Sequence, residues 1–328
     1  MEREVKLKKH LGLLDVFSVA SGAMISSGLF ILPAIAFRQT GPAMVASYLL
    51  ASIVILPSVF SKAELATAMP RAGGTYFYVE RSMGGLWGLF CGLSNWFSLA
   101  LKSAFAIVGM ALFLKVFCNS VLNVQLSAVA LKSIAILCCV IFGTLNIISV
   151  KSTARFQNLL VLFLIGILTL FVVTGISHVQ PERFTNFAPS GKLKILTTAG
   201  AVFISFGGLT KVASIAEEVR HPGRLLPRGM LLAWAVVSFF YVTVVFITAG
   251  VLDPEILNQS DAPISAAART FLGMPGAVLL SLAAMAAFIT TANGGILAAS
   301  RCPMAMSRDH LLPGWLAQIN KQFKTPIH

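Results

Sequence analysis

Charge is what this chain lacks. Only 11% of its 328 residues are Asp, Glu, Lys or Arg, and 57% are hydrophobic. A soluble domain carries about 25% charged residues, so a water-soluble globule is excluded and the chain belongs in a bilayer. Histidine and cysteine are also sparse, five of each. The cysteines (Cys91, Cys118, Cys138, Cys139, Cys302) fall mostly inside apolar stretches without ligand spacing, and the histidines are scattered through loops and ends, so no metal site follows. No Ser/His/Asp set or paired carboxylates stand inside a span, which excludes a membrane enzyme, and no cofactor motif is present. Repeated polar rings or a carbonyl filter, as a channel needs, are missing too. The polar, basic start and the long first apolar stretch do not fit a cleavable signal peptide.

What is present is apolar length. Eight stretches, near 13–37, 42–67, 84–114, 125–147, 156–178, 195–219, 228–250 and 276–299, each exceed or approach the roughly 20 residues that cross the hydrocarbon core. The third is long and expected to tilt. Placing the N-terminus in the cytoplasm puts sixteen of the 25 basic residues on that side and six on the other, with Lys102, Lys132 and Lys211 inside spans. The positive-inside rule therefore selects a cytoplasmic N-terminus, and eight crossings return the C-terminus to the same side. The net charge of +13 is explained by this placement and carries no nucleic-acid reading. The expected setting is the plasma membrane, crossed many times.

Two spans carry glycine in their middles: Ser21-Gly22-Ala23-Met24-Ile25-Ser26-Ser27-Gly28 and Ser205-Phe206-Gly207-Gly208-Leu209. An unpaired backbone group in lipid costs several kcal/mol, so a broken helix persists only where protein, ion or solute satisfies it. Free N–H groups at the start of the second half attract anions, and free carbonyls at the end of the first attract cations. Two such breaks together suit a zwitterion such as an α-amino acid, and paired breaks in the two halves of a chain point to a transporter's binding site. Close helix packing is the competing explanation for the glycines.

The motifs around these breaks resemble those of the amino acid–polyamine–organocation (APC) superfamily of transporters. The matching stretches are Gly22 to Pro33, Glu64 to Tyr76, Phe206 to Leu209, Ala216 to Pro227, Ala292 to Gly295, Ser300 with Arg301, and Ala305 to Asp309. The resemblance implies an all-α, LeuT-like inverted-repeat fold, with spans 1 and 6 discontinuous, working by alternating access as an amino acid permease. By position, the amides of Ser26, Ser27 and Gly28 would receive the substrate carboxylate, with Ala23, Met24 and Ile25 lining the break. Phe203, Ile204, Phe206 and Gly207, with Gly208 in the same interruption, would offer carbonyls to the ammonium and an aromatic gate. Glu217, Glu218 and Pro222 would be structural and gating residues at the cytoplasmic end of span 6. Family members usually have twelve spans, whereas this chain stops at Lys324 to His328, where a ninth would begin. The expected division is a first five-helix repeat over 12–179, an incomplete second repeat over 195–299 and a cytoplasmic amphipathic segment over 300–328. A truncated product, a fragment and a chain completed by a second polypeptide are the alternatives, and with them a relative that binds solute without moving it.

Lys102 lies mid-span and Lys211 just past the second break. A charge at the bilayer centre costs about 2.5–3.5 kcal/mol on insertion scales, so each is either a proton-coupling group or fixed cation, or a structural lysine bonded to carbonyls. Lys211 is within sequence reach of Glu217 or Glu218, and Lys132, nearer a helix end, is expected to snorkel. Some proton-coupled relatives carry a lysine in span 5, near Leu164; the run Leu159 to Gly166 has none. Thr290 and Thr291 place hydroxyls where sodium-coupled members of the wider fold hold an ion, although bonding back to their own helix is the alternative. The coupling ion is thus a proton or sodium. Asn95 and Trp96 border the expected pocket or pack, and Tyr76 and Tyr78 read as interface anchors. Met24, Ile25, Ile204 and Phe206 favour a neutral or cationic solute with an aliphatic portion.

Overall fold

The computed structural model describes residues 7, 9–121, 124–148, 150–320 and 325. Arg3, Lys6, Lys8, Lys321 and Lys324, which enter the charge count, lie outside the described residues, as does the chain end at His328. Among the described residues there are helices and an isolated bridge between Leu11 and Val219, and no strand.

The first span is three pieces: α1 (Leu13–Met24), α2 (Ser27–Phe30) and α3 (Leu32–Thr40). Asp15 anchors its start, accepting from the Gly12 N–H at 2.7 Å and from the Asn158 amide at 2.7 Å. Gly41, at φ 61°, ends α3 in a conformation that side chains rarely adopt, and α4 (Met44–Val54) and α5 (Leu56–Ala68) form the second span. Next come the short α6 (Thr75–Met83), the long α7 (Gly85–Val121), α8 (Ala128–Ile148) and α9 (Val150–Gly175). In the second half, α10 (Lys192–Phe203) and α11 (Leu209–Ser214) flank a 3-10 stretch, Ile204–Gly208. They are followed by α12 (Pro222–Val251), α13 (Pro254–Gln259) and α14 (Pro263–Arg308), which bends at Gly273 (φ 64°). Among the described residues, seven helical runs are long and apolar enough to cross a bilayer, against the eight expected, and α1 is a shorter apolar helix before them.

α1 is the enclosed element. It packs against α9, α12 and α14 and against the 3-10 stretch, and from Val16 to Met24 every residue is buried. α14 runs along α7 and α9, while α10 lies against α3 and α4. α8 is the opposite case: Ile136, Leu137, Val140 and Ile141 are exposed, as a lipid-facing helix requires.

One boundary and one placement differ from the sequence reading. Residues 300–308 continue α14 as helix, with Arg301, Cys302, Met304 and Met306 buried. Pro303 inside it does not end the helix, because a membrane bundle can re-satisfy the freed carbonyl. Tyr76 and Tyr78 are buried at 0% and 6% exposure, not anchored at an interface.

Candidate functional site

The first break is open at Ile25 and Ser26. Ile25 is extended (φ −76°, ψ 99°), and Ser26 lies at φ −157°, ψ −122°. Its carbonyls are capped by side chains from distant spans. The Tyr241 hydroxyl donates to Met24 O at 2.7 Å, Tyr48 donates to Gly28 O at 2.7 Å, and Thr291 donates to Gly22 O at 2.7 Å. The amides differ. Ile25 N–H bonds back to Ser21 O at 2.8 Å, but Ser26, Ser27 and Gly28 have no backbone acceptor among the described residues. The break therefore presents three amide donors beside carbonyls that are partly capped, which suits an anion.

The second break is tighter. Ile204–Gly208 stays near helical dihedrals but closes as a 3-10 turn between α10 and α11. Such a turn has poorer hydrogen-bond geometry than the helices around it and often marks a hinge. The two breaks touch. A Cβ on Gly208 would lie 2.7 Å from the Ala23 carbonyl carbon and 2.8 Å from Met24 N, so only glycine admits this backbone approach. A Cβ on Gly28 would collide with the Ser205 side chain and lie 2.6 Å from the Tyr241 hydroxyl oxygen. Gly207 is different: its Cβ would meet nothing within 4 Å among the described residues. The Tyr241 ring joins the halves, edge-on to Phe206 (centroids 5.1 Å) and to Tyr48 (5.6 Å). Among the residues expected to line the site, Ser27 and Ile204 are exposed, and Phe203 and Gly207 are half-buried. Ala23, Met24, Ile25, Ser26, Gly28, Phe206 and Gly208 are buried. Tyr48 and Tyr241 were not legible as site residues, because a tyrosine inside an apolar span carries no local signal of its partner.

Thr290 and Thr291 do reach across to the first break. Thr290 bonds back to Ala287 O at 2.8 Å and also lies 3.2 Å from Gly22 O. Beside them runs a buried amide relay that sequence reading missed. Gln157 donates to Thr290 O at 3.2 Å and lies 3.4 Å from Ser18 O; Asn293 donates to Gln157 Oε1 at 3.1 Å; Asn146 donates to Asn293 Oδ1 at 2.9 Å and to Phe142 O at 2.8 Å. The relay joins α1, α8, α9 and α14, and its single consistent direction fixes each amide's orientation. A donor from α9 thus approaches the threonine pair.

Lys211 is fully buried and donates to Thr291 O at 2.7 Å. It does not serve the glutamates it was placed near in sequence. Those carboxylates have other partners. Glu218 pairs with Arg301 at 2.9 Å, the two side chains 3% and 1% exposed, and its carbonyl accepts from the N–H groups of His10 and Leu11 at 2.9 and 3.0 Å. Glu217 pairs with Arg308 at 3.1 Å and accepts from Ala72 N–H at 3.1 Å. Pro222, in the first turn of α12, needs no amide bond there. The exit of the second break is thereby tied to the N-terminal segment, the α5–α6 turn and the end of α14. Tyr76 closes the same face, donating to Asp309 at 2.9 Å. Burial, then the Asp309 hydrogen bond and charge, push its hydroxyl well above the ordinary tyrosine value. Burial alone raises Tyr78 to about 12. Lys102 is half-buried and makes no hydrogen bond among the described residues, although it is near enough to act on Lys211. Lys132 is exposed, as snorkelling requires.

Two interrupted helices in contact inside a membrane bundle define a solute transporter of the LeuT-like fold. A solved Na+-coupled sialic acid symporter, in a substrate-bound outward-open state, superposes with a TM-score of 0.64 at 17% identity, covering 90% of this chain and 66% of that one. The chain belongs to the amino acid permease family, which matches residues 11–328. It is 29% identical over 337 residues to the methylthioribose transporter of Bacillus subtilis, covering 98% of this chain and 72% of that protein. It is 28% identical over 335 residues to the branched-chain amino acid permease BcaP of the same organism, with the same two coverages. The chain is accordingly a multi-pass membrane transporter and not an enzyme.

Proposed function

We propose that this chain is a plasma-membrane permease for amino acids or related amines, working by alternating access, with both termini in the cytoplasm. The observation that carries the reading is the asymmetry of the first break. Three of its carbonyls, at Met24, Gly28 and Gly22, are capped by Tyr241, Tyr48 and Thr291, while the amides of Ser26, Ser27 and Gly28 have no backbone acceptor among the described residues and stand open to a ligand. A carboxylate held there would direct its ammonium toward the carbonyls of Phe203 to Gly208 in the second break. Met24, Ile25 and Phe206 supply an apolar wall for an aliphatic side chain. The name of the branched-chain permease fits that choice. The division of the chain into a repeat over 12–179 and a second over 195–299 belongs to the same proposal, with Glu217, Glu218 and Pro222 at the inner gate.

Coupling falls to Lys211 or to the threonine pair. Lys211 holds α11 to the Thr291 carbonyl, and Thr291 in turn holds the first break, so a proton on this lysine would be sensed at the site. Lys102 acts as its electrostatic neighbour. Sodium coupling would instead use Thr290, Thr291 and Gly22 O. Uptake of radiolabelled leucine into proteoliposomes, under a proton gradient or a sodium gradient, tests both levels. Saturable, stereoselective accumulation supports the permease; binding without accumulation, or neither, overturns it. Lys211→Met should abolish the response to a proton gradient and leave any sodium response in place.

A further inference from the structure

The face that closes the second break holds a cleft of about 300 Å³ that the transport reading does not use. Four cationic side chains line it: Lys9 from the N-terminal segment, Arg71 from the α5–α6 turn, Arg81 from α6 and Arg308 from the end of α14. Two carboxylates share it, Glu217 and Asp309. Both are already engaged. Glu217 takes Arg308 and the Ala72 N–H, while Asp309 takes the Tyr76 hydroxyl and pairs with Arg81 at 3.6 Å. Lys9 and Arg71 are exposed and have no acceptor among the described side chains or carbonyls. Among the described residues, two positive charges without a carboxylate partner therefore line one concave site. Its wall is Phe77, whose ring lies 5.0 Å beneath the Arg81 guanidinium and holds that group in place.

We propose that this cleft binds a phosphate group, Arg71 offering its planar fork to two oxygens and Lys9 a point charge to a third. Guanidinium matches phosphate geometry better than any other side chain. The site lies on the face assigned by its basic residues to the cytoplasm, where anionic headgroups gather juxtamembrane lysines and arginines. The phosphate belongs either to such a headgroup or to a soluble anion; the recognition is the same. A bound phosphate would bridge the N-terminal segment, the α5–α6 turn and the end of α14, the pieces already tied around Glu217 and Glu218. It would fasten the inner mouth shut.

The test uses the full chain purified in a neutral detergent, with its unfolding temperature followed during titration with inorganic phosphate, short-chain phosphatidylglycerol or short-chain phosphatidylcholine. A saturable rise with phosphatidylglycerol only assigns a lipid headgroup, and one with phosphate as well assigns a soluble anion; either supports the site. The double variant Lys9→Gln, Arg71→Gln should weaken the apparent affinity about tenfold or more. Lys9→Arg should keep most of it, Arg71→Lys should lose the bidentate part, and Arg224→Gln, an exposed charge on the start of α12 outside the cleft, should change nothing. No saturable rise with either anion, an equal rise with phosphatidylcholine, or an equal loss in Arg224→Gln overturns the proposal.

Discussion

Tyr241 and Met24, 217 residues apart, are joined by a 2.7 Å hydrogen bond from the phenol to the carbonyl that ends α1. That bond supplies what an interrupted helix in lipid needs, a protein partner for a carbonyl whose own helix has stopped. The same ring packs against Phe206 in the other break, so one side chain serves both.

Removing the hydroxyl tests this. Tyr241→Phe keeps the ring contacts and frees the carbonyl, and should lower stability by about 1 kcal/mol. Solute affinity should fall about fivefold for the same loss. Thermal unfolding and solute binding in detergent measure the two effects, and an unchanged pair would place the support of the break elsewhere.

The glycines of the second break should separate cleanly. Gly208→Ala forces a Cβ against the backbone at Ala23 and Met24, and should abolish solute binding or folding. Gly207→Ala meets open space and should fold with stability within about 0.5 kcal/mol of the parent. The readouts are yield in detergent, unfolding temperature and uptake.

The Arg301–Glu218 pair is buried, so breaking it should cost more than replacing it. Glu218→Leu or Arg301→Met alone leaves an uncompensated buried charge, worth about 3–5 kcal/mol. The double variant Glu218→Leu, Arg301→Met should recover much of that loss. Unfolding temperatures of the three variants decide it; an additive double variant would deny the pairing.

Alkaline stability should report on Tyr76 and Tyr78. Their folded values are raised above the ordinary one, Tyr78 to about 12. Between the unfolded value of about 10 and the folded one, the unfolded chain releases a proton that the folded chain keeps. Stability is therefore fully retained below pH of about 10 and falls as pH rises beyond it. Tyr78→Phe should flatten part of this fall. It should cost little at neutral pH, because that hydroxyl makes no hydrogen bond among the described residues.

Much of this design was legible in the residues. Serine and glycine in the middle of an apolar run announce a break, because neither favours continued helix, and Gly28 is indeed the point where the break meets Ser205. Sequence could not choose between Gly207 and Gly208; the difference is one of facing, and a 3-10 turn rotates residues differently from an α-helix. The partners of Lys211 were also misjudged. Helical spacing suggested Glu217 or Glu218, but the chain leaves the helix after Ser214 and carries both glutamates to arginines on α14. Gln157 and Asn146 were invisible for a third reason: a lone amide in a span looks like an ordinary polar substitution until its distant partners are in place. The reach of α14 to Arg308 was missed because Pro303 reads as a helix end in water.

A structure of the protein with leucine bound tests the central claim most directly. The account predicts the leucine carboxylate about 3 Å from the amides of Ser26, Ser27 and Gly28, with the ammonium turned toward the carbonyls of Phe203 to Gly208. Leucine bound away from both breaks, with those three amides left unengaged, would contradict it.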